Sequence, residues 1–265
     1  MKKYLFLFLL SLTAIHGGAV DDSQPGNDVQ KIYQARAFGQ LPLHFEANRG
    51  QFDDGVEYFS RGNGFSLFLT ANEAVFAIQP SESNESFKGI PNAKTPFHSP
   101  GPPVFLRFQL LDANPQSDVS ASDPLPGETN YLIGNDPNRW RAHIPNYAKV
   151  HYSGVYPGID LIYYGNQRKL EYDFVVHPGA DPARIRFQFQ GANGCAINES
   201  GDLVLHTPLG EWVQHKPLLY QLRDGKKQEI QGRYMIYEDH TIGFKVGDYD
   251  INRPLIIDPI LSFST

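Results

Sequence analysis

Cysteine is almost absent. Cys195 is the only one in 265 residues, which excludes an intrachain disulfide and leaves packing to hold the fold together. No apolar run reaches the roughly 20 residues that a membrane-spanning helix needs, and beyond residue 37 no segment places apolar residues at helical spacing. The nucleophile-elbow pattern Gly-x-Ser-x-Gly and the phosphate-cradling Walker loop are missing. The histidines never stand at His-x-His or His-Glu-x-x-His spacing, so the sequence gives no warrant for a zinc site, and no metal or other cofactor is expected. Basic residues do not cluster either: 23 Lys and Arg face 29 Asp and Glu, a net charge of −6, so nucleic acid and anionic lipid are not expected partners.

What is present begins at the N-terminus. Lys2 and Lys3 precede an apolar stretch over 4–15, and small residues follow at Gly17, Gly18 and Ala19. That order is a secretory signal peptide over 1–19, and its core of about twelve residues is too short for a permanent anchor. Cleavage after Ala19 removes two basic residues, leaving 21 against 29 acidic ones and a net charge of −8. The expectation is an extracytoplasmic protein (secreted, periplasmic or at the cell surface) with no transmembrane segment after cleavage.

Residues 20–39 form a polar spacer, with a short helix over 29–37. From residue 40 onward strand signals dominate, in keeping with 18 Phe and 14 Tyr, residues that suit half-buried pleated surfaces. Two apolar runs over 65–70 and 73–78 flank a short polar break and predict a hairpin. Residues 79–103 and 112–127 are rich in Ser, Asp, Asn, Gly and Pro and predict two long surface loops, with a strand between them over 104–111. Further strands are predicted over 159–164, 170–176, 185–190, 203–207, 218–222, 230–237 and 242–246.

Alternation is clearest in Leu170-Glu171-Tyr172-Asp173-Phe174, where the odd positions carry carboxylates. Strands with one wet face predict an all-β protein of antiparallel sheets, packed as a sandwich or as open, barrel-like sheets. Residues 40–265 are read as a single β-rich domain, as one core or as two packed sub-sheets over 40–127 and 128–265.

Several strings in fixed order carry a family resemblance: Phe45-Glu46-x-Asn48-Arg49-Gly50-Gln51, Asn130-Tyr131-x-Ile133-Gly134, Trp140, and Tyr156-Pro157-Gly158-Ile159-Asp160-Leu161-x-Tyr163-Tyr164. After these come Glu171-Tyr172-Asp173-Phe174, His177-Pro178-Gly179-Ala180-Asp181-Pro182 and Pro254-Leu255-Ile256-Ile257-Asp258-Pro259. Over roughly 40–265 the chain resembles the N-terminal domain of bacterial SBBP-repeat, or β-propeller-repeat, surface proteins, a domain of unknown function. The resemblance implies export, β architecture and downstream propeller repeats, or another envelope protein, as packing partner. It supplies no catalytic residues. Residues 261–265 resemble the opening of such repeats, and the chain stops there, as a fragment or a short relative would.

The candidate ligand-binding residues are Asp160, Tyr163, Glu171, Asp173 and Trp140. Two carboxyl groups about 5–10 Å apart across a sugar are the requirement of a glycosidase, and adjacent strands can supply that. Alternatively, Asp160 stabilises a turn while Glu171 and Asp173 keep a sheet face soluble. Trp140, Trp212, Tyr163 and Tyr164 are either a stacking platform for carbohydrate or core, the usual place for large aromatics in a β protein. Asp248-Tyr249-Asp250-Ile251-Asn252 starts like a calcium loop, but Arg253 stands where the tight-turn glycine belongs. Cys195 reads as a small buried filler rather than a nucleophile. Glu46, Asn48 and Gln51 read as supports for the backbone near Gly50. The leading expectation is a non-enzymatic exported scaffold or interaction module, and the alternative is a carbohydrate-binding or glycoside-cleaving domain.

Overall fold

The computed structural model describes residues 43–62, 64–80, 102–166 and 169–263. The signal peptide, the spacer with its helix, and most of the first predicted loop (81–101) lie outside the described residues. In chain order the strands are β1 (Phe45–Ala47), β2 (Val56–Arg61), β3 (Phe65–Thr70), β4 (Glu73–Ile78), β5 (Val104–Leu110), β6 (Asp118–Tyr131) and β7 (Arg141–Tyr156). There follow β8 (Ile159–Asn166), β9 (Lys169–Val176), β10 (Phe187–Gln190), β11 (Gly194–Ile197), β12 (Leu203–Thr207) and β13 (Gly210–Gln214). The last are β14 (Leu218–Arg223), β15 (Lys226–Ile230), β16 (Gly232–Ile236), β17 (Ile242–Val246), β18 (Leu255–Asp258) and β19 (Leu261–Phe263).

The protein is nearly all β, with antiparallel sheets that do not close into a barrel. Fifteen strands form one sheet in the order β15-β14-β18-β9-β8-β7-β1-β2-β3-β4-β5-β10-β17-β16, with β6 attached to β7. The other sheet is β11-β12-β13-β19. The small sheet is thus cut from 194–214 plus the segment at 261–263, and the large one interleaves both halves of the chain, unlike a division at residue 127. The β3–β4 hairpin forms with the predicted bounds, Phe65 opposite Ile78 and Leu69 opposite Ala74. Thr70 Oγ1 accepts from the amides of Asn72 and Glu73 and so ties its turn.

The large sheet folds back on itself, because rings from strands far apart in its order touch. Phe108 on β5 lies 5.2 Å from Tyr172 on β9, and Phe174 on β9 lies 5.8 Å from Phe244 on β17 (ring centroids). Trp212 on β13 of the small sheet packs edge-on against Phe76 at 5.1 Å. Alternate positions of each strand supply this core. Leu170, Tyr172, Phe174 and Val176 are all buried, as are Ile159, Leu161 and Tyr163, so period-two alternation is the local cause of the layered packing.

Two predictions are overturned. The strand expected over 230–237 is divided, because β15 ends at Ile230 and β16 begins at Gly232, at the opposite end of the strand order. Residues 118–127 belong not to a loop but to β6, which pairs with β7 from Asp118 opposite Ser153 to Tyr131 opposite Arg141. Composition concealed it because β6 has no other partner among the described residues and most of its side chains are exposed, so it needs no apolar face. Pro124 and Pro126 fit such an edge strand, where a missing N–H costs no ladder bond. The register shifts between Pro124 and Glu128, and Asp123 adopts φ 57°. Such bulges and prolines blunt an edge against uncontrolled pairing. β7, two residues longer, lacks a clear apolar rhythm and is likewise absent from the predicted strands.

Candidate functional site

The outward face of β7, β8, β9 and β18 gathers the acidic candidates into two groups. In the first, a bulge in β7 between Tyr152 and Tyr156 turns the amide of Gly154 toward β8, where it donates to Asp160 Oδ1 at 2.7 Å. Bulges commonly re-aim a group in this way. Asp160 Oδ2 lies 2.9 Å from His177 Nε2 and 3.3 Å from His151 Nε2. The His151 nitrogen is buried and makes no aligned hydrogen bond. Burial pushes the Asp160 carboxyl up, but the Gly154 bond and the two imidazoles outweigh it and hold Asp160 below the usual carboxylate range.

The second group is Glu171, Asp173 and Asp258 around the Tyr164 phenol. Tyr164 donates to Asp173 Oδ1 at 3.0 Å, and Asn166 Nδ2 donates to Glu171 Oε1 at 3.0 Å. Tyr164 stands directly opposite Glu171, and Ile162 opposite Asp173. This face is not the wet one that the alternation implied: Glu171 is 6% and Asp258 8% exposed. The backbone bridge between Ile260 and Glu171 keeps the register of Leu255 opposite Val176, so the segment after β18 runs on alongside β9. Burial of a strand's second face depends on a partner distant in sequence, which alternation cannot show.

Burial and then the neighbouring Asp258 charge push the Asp173 carboxyl up to about 7, against a weaker pull from Tyr164 and Lys227. Asp258 is raised too, by burial and the charge of Glu171, and its Oδ1 is buried without a hydrogen-bond partner. Asp173 and Asp258 are thus pushed up together, because burial and neighbouring negative charge both disfavour their ionised forms more than the Lys227 ammonium favours them. Asp258 was visible in the sequence only as part of the Pro254–Pro259 string, and His151 only as one histidine among nine.

The structure does not bring the other candidates to this face. Tyr163 points into the core, 3% exposed, between Tyr152 and Tyr172 at 5.7 Å each, so its ring offers no platform to a ligand. Trp140 is 39% exposed at the end of the β6–β7 connection, its Nε1 donating to Gly134 O. Trp212 is core, as expected. Asp250 spends its carboxylate on the Asn252 amide at 3.0 Å and Arg253 Nε at 3.1 Å, the bonds of a turn rather than of a cation loop. Burial raises the Cys195 thiol, away from a reactive thiolate.

The string around Gly50 serves the backbone. Asn48 Nδ2 donates to the carbonyls of Asp53 (3.0 Å) and Val56 (2.8 Å), while its Oδ1 accepts from the amides of Gly50 and Phe52. Gln51 Nε2 donates to Ala47 O at 2.8 Å. Glu46, 4% exposed, accepts from the Tyr131 hydroxyl and so fastens β1 to the end of β6.

Among the described residues no group of three or more His, Cys, Asp or Glu has the geometry to hold a metal ion, and no described helix is long and apolar enough to cross a membrane. No match is found among curated proteins or among solved structures. A family model does match, spanning residues 45–260 from β1 to the start of β19 and so including every strand that carries the two acidic groups, and the chain therefore belongs to the family described as a domain of unknown function, DUF7948.

Proposed function

We propose that this protein is a non-enzymatic exported interaction module, the N-terminal scaffold of a cell-surface or secreted propeller-repeat protein. The observation that carries this reading is the β6–β7 hairpin. Two strands of 14 and 16 residues extend along each other, β6 leaves its outer edge without a partner among the described residues, and the connection exposes Leu132 (58%), Ile133 (62%) and Trp140 (39%). A long hairpin with an apolar tip suits docking of another β structure, with the tip side chains giving affinity and the prolines and bulge of β6 confining ladder bonds to the edge on either side of them. The signal-like N-terminus and the resemblance to repeat proteins supply the address and the partner, an adjoining propeller-like repeat array.

Burying the exposed part of each of those side chains, 39–62% of the whole, stabilises a complex by about 1 kcal/mol or more. Leu132→Ser/Ile133→Ser/Trp140→Ser is therefore expected to weaken association with a separately produced repeat array of that kind by well over tenfold. Folded stability should stay within about 0.5 kcal/mol of the parent, as for surface substitutions generally. Titration followed by fluorescence measures the first and urea unfolding the second; unchanged association would sink this reading.

A carbohydrate-cleaving reading has one specific observation in its favour. Asp160 opposes Val175, and Asp173 opposes Ile162, so the two acids are diagonal neighbours, about 7–8 Å apart at the backbone. Their proton affinities are pushed in opposite directions, the pattern of an acid and base pair. Under this reading the processed protein hydrolyses a polysaccharide, and Asp160→Asn and Asp173→Asn each abolish the reaction. Inactivity of the parent protein across a broad panel of glycans counts decisively against it.

A further inference from the structure

On a protein of net charge −6, three cations converge without an anionic partner. Arg233 on β16 stands directly opposite Lys245 on β17. In an antiparallel pair that places their Cβ atoms about 4.5–5.5 Å apart, where like charges destabilise the sheet. Lys216, between β13 and β14, reaches the same place from the other side. Its backbone amide donates to Asp202 Oδ1 at 2.8 Å, and its aliphatic stem lies over Gly201. A Cβ on Gly201 would meet Lys216 Cδ at 3.4 Å, and φ there is +87°, so the bare glycine gives the stem its seat. All three side chains are exposed, and none forms an ion pair among the described residues.

These cations line one open cavity of about 480 Å³, together with Ser200, Gln231 and a single carboxylate, Glu199. Its walls come from both sheets: the Asn198–Asp202 turn that follows β11, closed by Asp202 N donating to Asn198 Oδ1 at 2.9 Å, and the edge pair β16–β17. The lining side chains are three positive and one negative, with a second carboxylate, Asp202, behind Lys216, so an excess of positive charge remains, with a serine hydroxyl and a glutamine amide beside it as neutral hydrogen-bond groups. No aromatic ring lines the cavity, so the stacking that single-stranded nucleic acid uses is not provided.

We propose that this groove binds an oxyanion of the sulfate or phosphate type, taken either as the free ion or as an ester carried on a sugar. Arg233 supplies a planar fork matched to two oxygens, and Lys245 and Lys216 supply point charges. Binding relieves the Arg233–Lys245 repulsion, so the like-charged pair is a cost of the empty groove that the ligand removes. This site is separate in residues and chemistry from the β6–β7 hairpin and does not depend on the reading given to that hairpin.

Calorimetric titration of the whole processed protein at low ionic strength tests it, with inorganic phosphate, a heavily sulfated glycan and the same glycan without sulfate as probes. Binding of phosphate or of the sulfated glycan is expected, with affinity reduced at least tenfold in Arg233→Gln/Lys245→Gln. The control Arg184→Gln/Lys226→Gln, which removes the same charge from exposed sites elsewhere, should bind as the parent does. Phosphate binding identifies the free ion as sufficient; binding of the sulfated glycan alone identifies the sugar ester. Thermal unfolding keeps the test interpretable, since removing the opposed charges should leave the melting midpoint unchanged or higher. No heat with either anionic probe, or equal losses in the control and the groove variant, would overturn the proposal.

Discussion

Phe108→Ala is expected to lower the free energy of unfolding by about 3–5 kcal/mol, the range for removing a fully packed aromatic ring. Phe108 is 2% exposed on β5, and its ring meets Tyr172 at 5.2 Å, Phe187 at 5.1 Å and Phe189 at 5.3 Å. Those partners stand on β9 and β10, so a single ring joins the two arms of the folded-back sheet. Its loss leaves a void lined by other aromatic rings, which are rigid and refill space poorly. Urea unfolding checks the value. A loss below about 1 kcal/mol would mean that the two arms do not share a core at this point.

The second large effect is electrostatic and depends on pH. The Asp173 carboxyl moves from an ordinary 3.8 when unfolded to about 7 when folded. Between those values the native state holds a proton that the unfolded chain has released. Stability is therefore fully present below about pH 4 and is lost as pH rises through about 7. Each tenfold change in proton affinity is worth about 1.4 kcal/mol, so roughly 2–4 kcal/mol is at stake across the window, with Asp258 raised in the same direction.

Asp160 runs the other way: its lowered carboxyl adds stability above its unfolded value that disappears only as pH falls through its folded one, well below the Asp173 window. Asp173→Asn keeps an oxygen for the Tyr164 hydroxyl and removes the charge beside Asp258. The variant should match the parent near pH 4 and exceed it by about 2 kcal/mol or more at pH 8. A difference that does not change between those pH values would refute the assignment of the raised carboxyl to Asp173.

The parts of the fold legible in the sequence were those that are local. The β3–β4 hairpin showed because its two apolar runs and its turn lie within 14 consecutive residues, and β9 showed because each side chain alternates between two environments. β6 did not show, since an edge strand with a solvated face carries turn-like composition. The candidate site was half legible. Asp160, Glu171 and Asp173 are on one sheet face as their positions predict, but that face is not wet at Glu171, which is buried. The tyrosine that serves the acidic group is Tyr164, while its neighbour Tyr163 is core, a difference of one residue that decides which side of the strand a ring occupies. The cations of the groove come from residues 216, 233 and 245 and so leave no trace as a run of charge.

The position of β18 has a further bearing on how the chain matures. These four residues near the C-terminus sit between β9 and β14, with Leu255 opposite Val176 and Leu219 opposite Ile257. The lane between β9 and β14 stays empty until they arrive, so the large sheet becomes continuous only once residues 255–258 are in place. A chain cut before Leu255 would therefore expose β9 and β14 as two open edges in place of one continuous sheet.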